Sequence, residues 1–162
     1  MKYNHGFTLI ETLIYIALFG IIIGGVSVCV YTLISASGHD QTGIMLEQEG
    51  DFLLGKLSWA LADGYGLTVG VDKTSFSVNK YNFTDNSLAF DFHNGNLRLT
   101  QGASGAENLN NSSTRVENLV FQDLPAQNGQ PEGLSASFVV TARASDGKTV
   151  SQNFQMTKYL LP

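Results

Sequence analysis

Between Glu11 and Asp40 the chain has no Asp, Glu, Lys or Arg. From Thr12 to Ala36, eighteen of twenty-five residues are apolar and the rest are Gly, Ser or Thr. As a helix rising ~1.5 Å per residue, this stretch is about 37 Å long, enough for a hydrocarbon core of roughly 30 Å. A secretory signal has an apolar core of only about 7–15 residues, so this one is too long for that role. Ser35-Ala36-Ser37 is nevertheless small enough for signal peptidase, and that alternative stays open. Charge is scarce overall, at 14% against ~25% in an average domain. The shortage is local: removing Glu11 from fourteen acidic residues and Lys2 from nine basic ones leaves thirteen and eight in residues 40–162. The chain thus joins a membrane-like segment to a water-soluble one. Lys2 before the span and the bulk of the chain after it predict a cytoplasmic N-terminus and an extracytoplasmic C-terminal part, by the positive-inside rule.

A net charge of −5, with Lys and Arg scattered singly, leaves no basic stripe for direct nucleic-acid binding. Cys29 is the single cysteine; it excludes an internal disulfide and reads as a buried, unreactive thiol. No cofactor is expected, nor a metal.

Glu11 is anomalous, because a carboxylate among Phe7, Leu9, Ile10, Leu13 and Ile14 is costly in or near a membrane. On its own it reads as an interface marker. Gly6-Phe7-Thr8-Leu9-Ile10-Glu11 directly before an apolar span, preceded by Met1-Lys2-Tyr3-Asn4-His5, resembles the processing motif of type IV prepilins and of type II secretion pseudopilins. The resemblance implies a leader at 1–6, cut after Gly6 by a prepilin peptidase that methylates the new amine of Phe7. It implies assembly through Thr8 and Glu11, the Glu11 carboxylate pairing with the Phe7 amine of an adjacent subunit. Burying both charges as a pair costs far less than burying either alone.

Gly20, Gly24 and Gly25 fit close helix packing; they equally fit the ordinary abundance of glycine in membrane helices, or the local melting known in such filaments. Many major pilins have a proline where this chain has Val28, and that departure fits a minor subunit better. Other subunits, the inner-membrane assembly platform and the lipid bilayer are the partners implied.

Residues 7–38 are thus expected to be a transmembrane and filament-core helix, with a hinge or weakened helical turn over 35–43. A second, amphipathic helix over 39–63 shows Leu46, Leu53, Leu54, Leu57 and Leu61 on one face, with Phe52 and Trp59 as core or helix–sheet contacts. Beyond Gly64 the period becomes two. Phe76 and Val78, Leu88 to Phe92, Leu97 to Leu99, Val116 to Phe121, Leu134 to Ala142 and Val150 to Met156 predict five or six strands in one antiparallel sheet laid on that helix. Asn94-Gly95 and Asp146-Gly147 mark turns. Segments 64–75, 101–114 and 123–133 read as loops. The fold class expected is α+β, pilin-like, with a β-rich domain over 64–162.

His5, His39 and His93 lack ligand spacing, and no Gly-x-Ser-x-Gly elbow occurs. Asp85-Asn86 and the Asn108–Asn111 region are the weak calcium candidates. The reading that results is a minor pilin-like structural subunit and not an enzyme. The alternatives are a minor pseudopilin of type II secretion and, remotely, a membrane-anchored extracytoplasmic enzyme or binding domain.

Overall fold

A computed structural model describes residues 8–127 and 129–160, and for 35–39 the backbone. One helix, α1 (Leu9–Leu61), precedes eight strands. They are β1 (Gly64–Val69), β2 (Ser75–Lys80), β3 (Leu88–His93), β4 (Asn96–Gln101), β5 (Glu107–Asn108), β6 (Thr114–Leu124), β7 (Gly133–Arg143) and β8 (Thr149–Tyr159). The fold is α+β. The chain forms two compact units, residues 1–38 and 39–162, described separately below.

The helix runs without a break through 35–43, where the sequence predicts a hinge or a weakened helical turn. A glycine in a helix interior costs only about 1 kcal/mol against alanine, so Gly38 and Gly43 weaken that turn without ending it. The boundary between the units falls at the same place, after Gly38.

In residues 39–162 the core runs from Leu46 to Leu160. Leu46, Gly50, Leu53, Leu57, Ala60 and Leu61 make a buried stripe on α1 at helical spacing. Leu54 sits at its margin, partly buried. Phe52 and Trp59 are outside the core, 47% and 37% exposed, but Trp59 makes a helix–sheet contact, its ring centroid 5.2 Å from the Lys80 ammonium of β2. The Lys56 ammonium lies between Phe52 and Trp59, 5.5 Å and 6.0 Å from the two ring centroids. Their spacing places them on the flank of the stripe.

The expectation of a single sheet is corrected. β1 to β5 form one antiparallel sheet in sequential order, and β6, β7 and β8 form another. The division is made by backbone bonds at the ends of the first sheet. Val116 N–H donates to Gly95 C=O at 2.9 Å and Phe121 N–H to Lys73 C=O at 2.7 Å. β6 therefore crosses turns instead of adding to a strand. A bulge between Glu117 and Val120, with Asn118 at φ 51°, shifts its register. That extra residue explains why Val116, Leu119 and Phe121 are all buried despite uneven spacing. Phe76 stacks on Phe90 at 4.7 Å and meets Phe121 edge-on at 4.7 Å, joining the two sheets. β1 occupies part of a segment expected to be a loop.

Two lysines from strands finish the helix. α1 has no basic residue in its last turn, yet its last carbonyls need partners. Lys80 of β2 donates its ammonium to Trp59 C=O at 2.9 Å and also to Ala62 C=O. Lys158 of β8 donates to Ser58 C=O at 3.1 Å and Ser58 Oγ at 2.8 Å. Cations here also suit the negative end of the helix dipole.

Candidate functional site at the helix N-terminus

Thr8 precedes the first helical residue, and its Oγ1 accepts the Glu11 N–H at 3.4 Å. Its carbonyl accepts both the Thr12 N–H and the Thr12 hydroxyl, each at 3.2 Å. Thr8 is thus an N-cap, and Thr8-Leu9-Ile10-Glu11 has the T-x-x-E spacing of a capping box. That spacing was open to reading in the sequence; the motif resemblance drew attention to assembly instead. Glu11 falls in the first turn, where a negative charge complements the helix dipole.

Glu11 is partly shielded by its own helix. Tyr15, one turn on, donates its phenol to Glu11 Oε1 at 3.3 Å. This partner was not foreseen, although spacing i,i+4 is where helical side chains meet. Two ion pairs occur among the described residues, Arg98–Asp91 and Lys148–Asp146. Neither involves Glu11. The site therefore presents a carboxylate at the rim of an apolar helix, with one neutral side-chain partner among the described residues.

Gly6 and Phe7, the residues expected to flank the cut, lie outside the described residues. The remaining part of the unit is a stretch long and apolar enough to cross a membrane, Leu9–Ile34, with mean hydropathy 2.6 and none of it buried within the chain. Twenty-six residues rise about 39 Å as a helix. Inside the span, the Ser27 hydroxyl donates to Ile23 C=O and the Thr32 hydroxyl to Cys29 C=O, both at 2.8 Å. These bonds satisfy hydroxyls that would be costly in hydrocarbon. Cβ atoms added at Gly20, Gly24 or Gly25 would meet nothing within 4 Å, so no packing within the chain requires glycine there. Cys29 is exposed, not buried by its own chain as expected.

Two of the calcium candidates, Asn86 and Asn110, are occupied with the fold. Asn86 Oδ1 accepts Lys80 N–H at 2.8 Å, and its amide donates to Lys80 C=O and Phe83 C=O. Asn110, 6% exposed, accepts Leu97 N–H at 3.0 Å and donates to Asn96 Oδ1, Asn111 C=O and Thr114 C=O. Among the described residues no group of three His, Cys, Asp or Glu side chains is placed to hold a metal.

Residues 1–27 match the family described as the prokaryotic N-terminal methylation motif. No curated protein and no solved structure matches the chain.

Proposed function

We propose that the chain is a minor subunit of a type IV pilus-type filament, a reading supported by the match of residues 1–27 to the prokaryotic N-terminal methylation motif. Such a motif implies processing by a prepilin peptidase and association with other subunits. In the proposed sequence of events the peptidase cuts after Gly6 and methylates Phe7. The span Leu9–Ile34 holds the subunit in the inner membrane, N-terminus cytoplasmic, until it moves into the filament. Glu11 then takes the Phe7 amine of a neighbour as its counter-ion, setting axial register.

The observation that carries this reading is the pairing of Glu11 with a bare apolar surface. Among the described residues this half-shielded carboxylate, beside such a surface, has the Tyr15 phenol as its side-chain partner. In a bundle of identical helices, both the surface and the charge gain partners. The protein domain over 39–162, with its own core, would be carried on the outside.

Intact mass and N-terminal sequencing, with and without co-expressed prepilin peptidase, test the reading. The expected product starts at N-methyl-Phe7. A chain starting near Gly38, or one still starting at Met1 when the peptidase is active, overturns it. Deleting the gene and scoring piliation beside exoprotein secretion assigns the machine.

A further inference from the structure

Two sheets have four edges, and three of them are blunted by the fold itself. β5 is only two residues long. β1 loses register between Tyr65 and Thr68. β6 carries its bulge and gives two outward N–H groups to Gly95 and Lys73. Short length, bulges and covering turns are the usual means of keeping an edge from pairing with another chain.

β8 has none of these. Its eleven residues pair with β7 in unbroken register, from Gly133↔Tyr159 to Arg143↔Thr149. The strand contains no Pro and no Gly. Leu160 N–H bonds Glu132 C=O, and Ala144 N–H bonds Lys148 C=O, both at 2.8 Å. By antiparallel alternation, Val150, Gln152, Phe154, Met156 and Lys158 then face β7 with their backbone groups. Ser151, Asn153, Gln155, Thr157 and Tyr159 turn theirs to the open edge. Among the described residues nothing pairs with them from that side, and all five side chains are exposed and uncharged. The one charge on the strand, Lys158, would ordinarily guard such an edge. Here its ammonium is held by Ser58 on α1.

We propose that β8 is a self-association edge, through which two copies of this chain pair antiparallel and join their three-stranded sheets into one of six. A second copy is favoured because the strand is compatible with itself, as a two-fold interface requires. With Gln155 opposite its own copy, Asn153 faces Thr157 and Ser151 faces Tyr159 on one side of the sheet. On the other side Phe154 faces Met156 and Gln152 faces Lys158. No like charges meet, and the apolar pair extends the core across the joint. The edge offers no charge that would select a different partner. This inference does not depend on the filament reading.

Residues 39–162 contain the whole described core and no cysteine, so they can be studied as a soluble domain. Sedimentation of this domain should show mass rising with concentration from monomer to dimer. Gln155→Pro removes only an outward N–H, which an edge strand tolerates. Asn153→Lys with Gln155→Lys brings like charges together across the joint. Both variants should stay monomeric with an unchanged circular dichroism spectrum. Gln155→Cys should oxidise to a disulfide-linked dimer, since opposed residues lie about 5.5 Å apart at Cα, within disulfide range. Gly105→Cys, on an open loop, should not. A domain that is monomeric at every concentration, a dimer unaffected by the edge variants, or equal cross-linking at 105 and 155 overturns the proposal.

Discussion

Gly50 of α1 lies against the ring of Phe154 of β8. A Cβ at residue 50 would fall 2.1 Å from the ring's Cζ and 2.2 Å from Cε1. The ring cannot simply swing away, because it stacks on Phe138 at 5.7 Å. Glycine here allows the helix backbone to approach the sheet by the thickness of a methyl group.

Gly50→Ala and Gly55→Ala should therefore change stability in opposite directions. At Gly55 nothing lies within 4 Å, and alanine should add about 0.5–1 kcal/mol through helix propensity. At Gly50 the same gain is outweighed by overpacking, which typically costs about 1–3 kcal/mol. Urea unfolding of residues 39–162 checks both signs, and Phe154→Leu should relieve part of the Gly50→Ala loss.

Asn110→Ala should be among the more damaging polar substitutions in the domain. It leaves Leu97 N–H and the carbonyls of Asn111 and Thr114 without this partner. A buried group left unsatisfied costs about 1–3 kcal/mol. The expected loss is of that size or more, read from the same unfolding curves.

Lys80→Met and Lys158→Met test the borrowed helix C-cap. Methionine keeps most of the stem and removes the donor and the charge. Each should lower stability by about 0.5–2 kcal/mol, a loss that thermal melts of residues 39–162 would register. Lys56→Met, whose ammonium only faces rings, should cost less than either.

Glu11→Gln in the full chain should reach the membrane and be processed normally, yet enter filaments poorly. Glutamine preserves shape and can still accept the Tyr15 phenol, so the loss isolates the charge. Thr8→Ala instead removes the cap, worth about 0.5–2 kcal/mol, and should fray the first turn. Counting each variant in sheared filaments against the membrane pool checks both, and normal incorporation of Glu11→Gln would falsify the counter-ion role.

Acid should test one turn. Asp72 accepts the Thr74 hydroxyl and, at 3.2 Å, its N–H. These bonds, the hydroxyl foremost, hold its carboxyl below the ordinary range. A depressed folded value means that the contribution is present above the unfolded value and fades as pH falls through the folded one. Thr74→Val should raise the Asp72 titration midpoint toward the ordinary carboxylate value, as followed by NMR of the side-chain carboxyl.

The parts of the fold that were legible in the sequence are those with a strict period. Leu46, Leu53, Leu57 and Leu61 repeat at helical spacing, and Leu134, Ala136, Phe138, Val140 and Ala142 at a spacing of two; all of these are buried. β1 escaped because Gly66 at φ 65° and the register shift before Thr68 destroy its alternation. The split into two sheets escaped because it is made by main-chain carbonyls at Lys73 and Gly95, which have no residue-type signature. Of the two readings of 35–43 the weakened helical turn agrees with the fold, because helical segments on either side carry the chain through its Ser and Gly residues. At the candidate site the motif pointed to Glu11, while the Thr8 cap and the Tyr15 phenol depend on rotamers that a motif does not encode.

The bond from Glu11 N–H to Thr8 Oγ1 has one more consequence. The helix is capped by a residue downstream of the proposed cut, so the cap stays with the chain when residues 1–6 leave. Losing that hexapeptide would remove Lys2 and expose a new amine at Phe7, while the oxygen that caps the first turn is retained. Maturation as proposed would then edit the charge at the start of the helix and keep its cap.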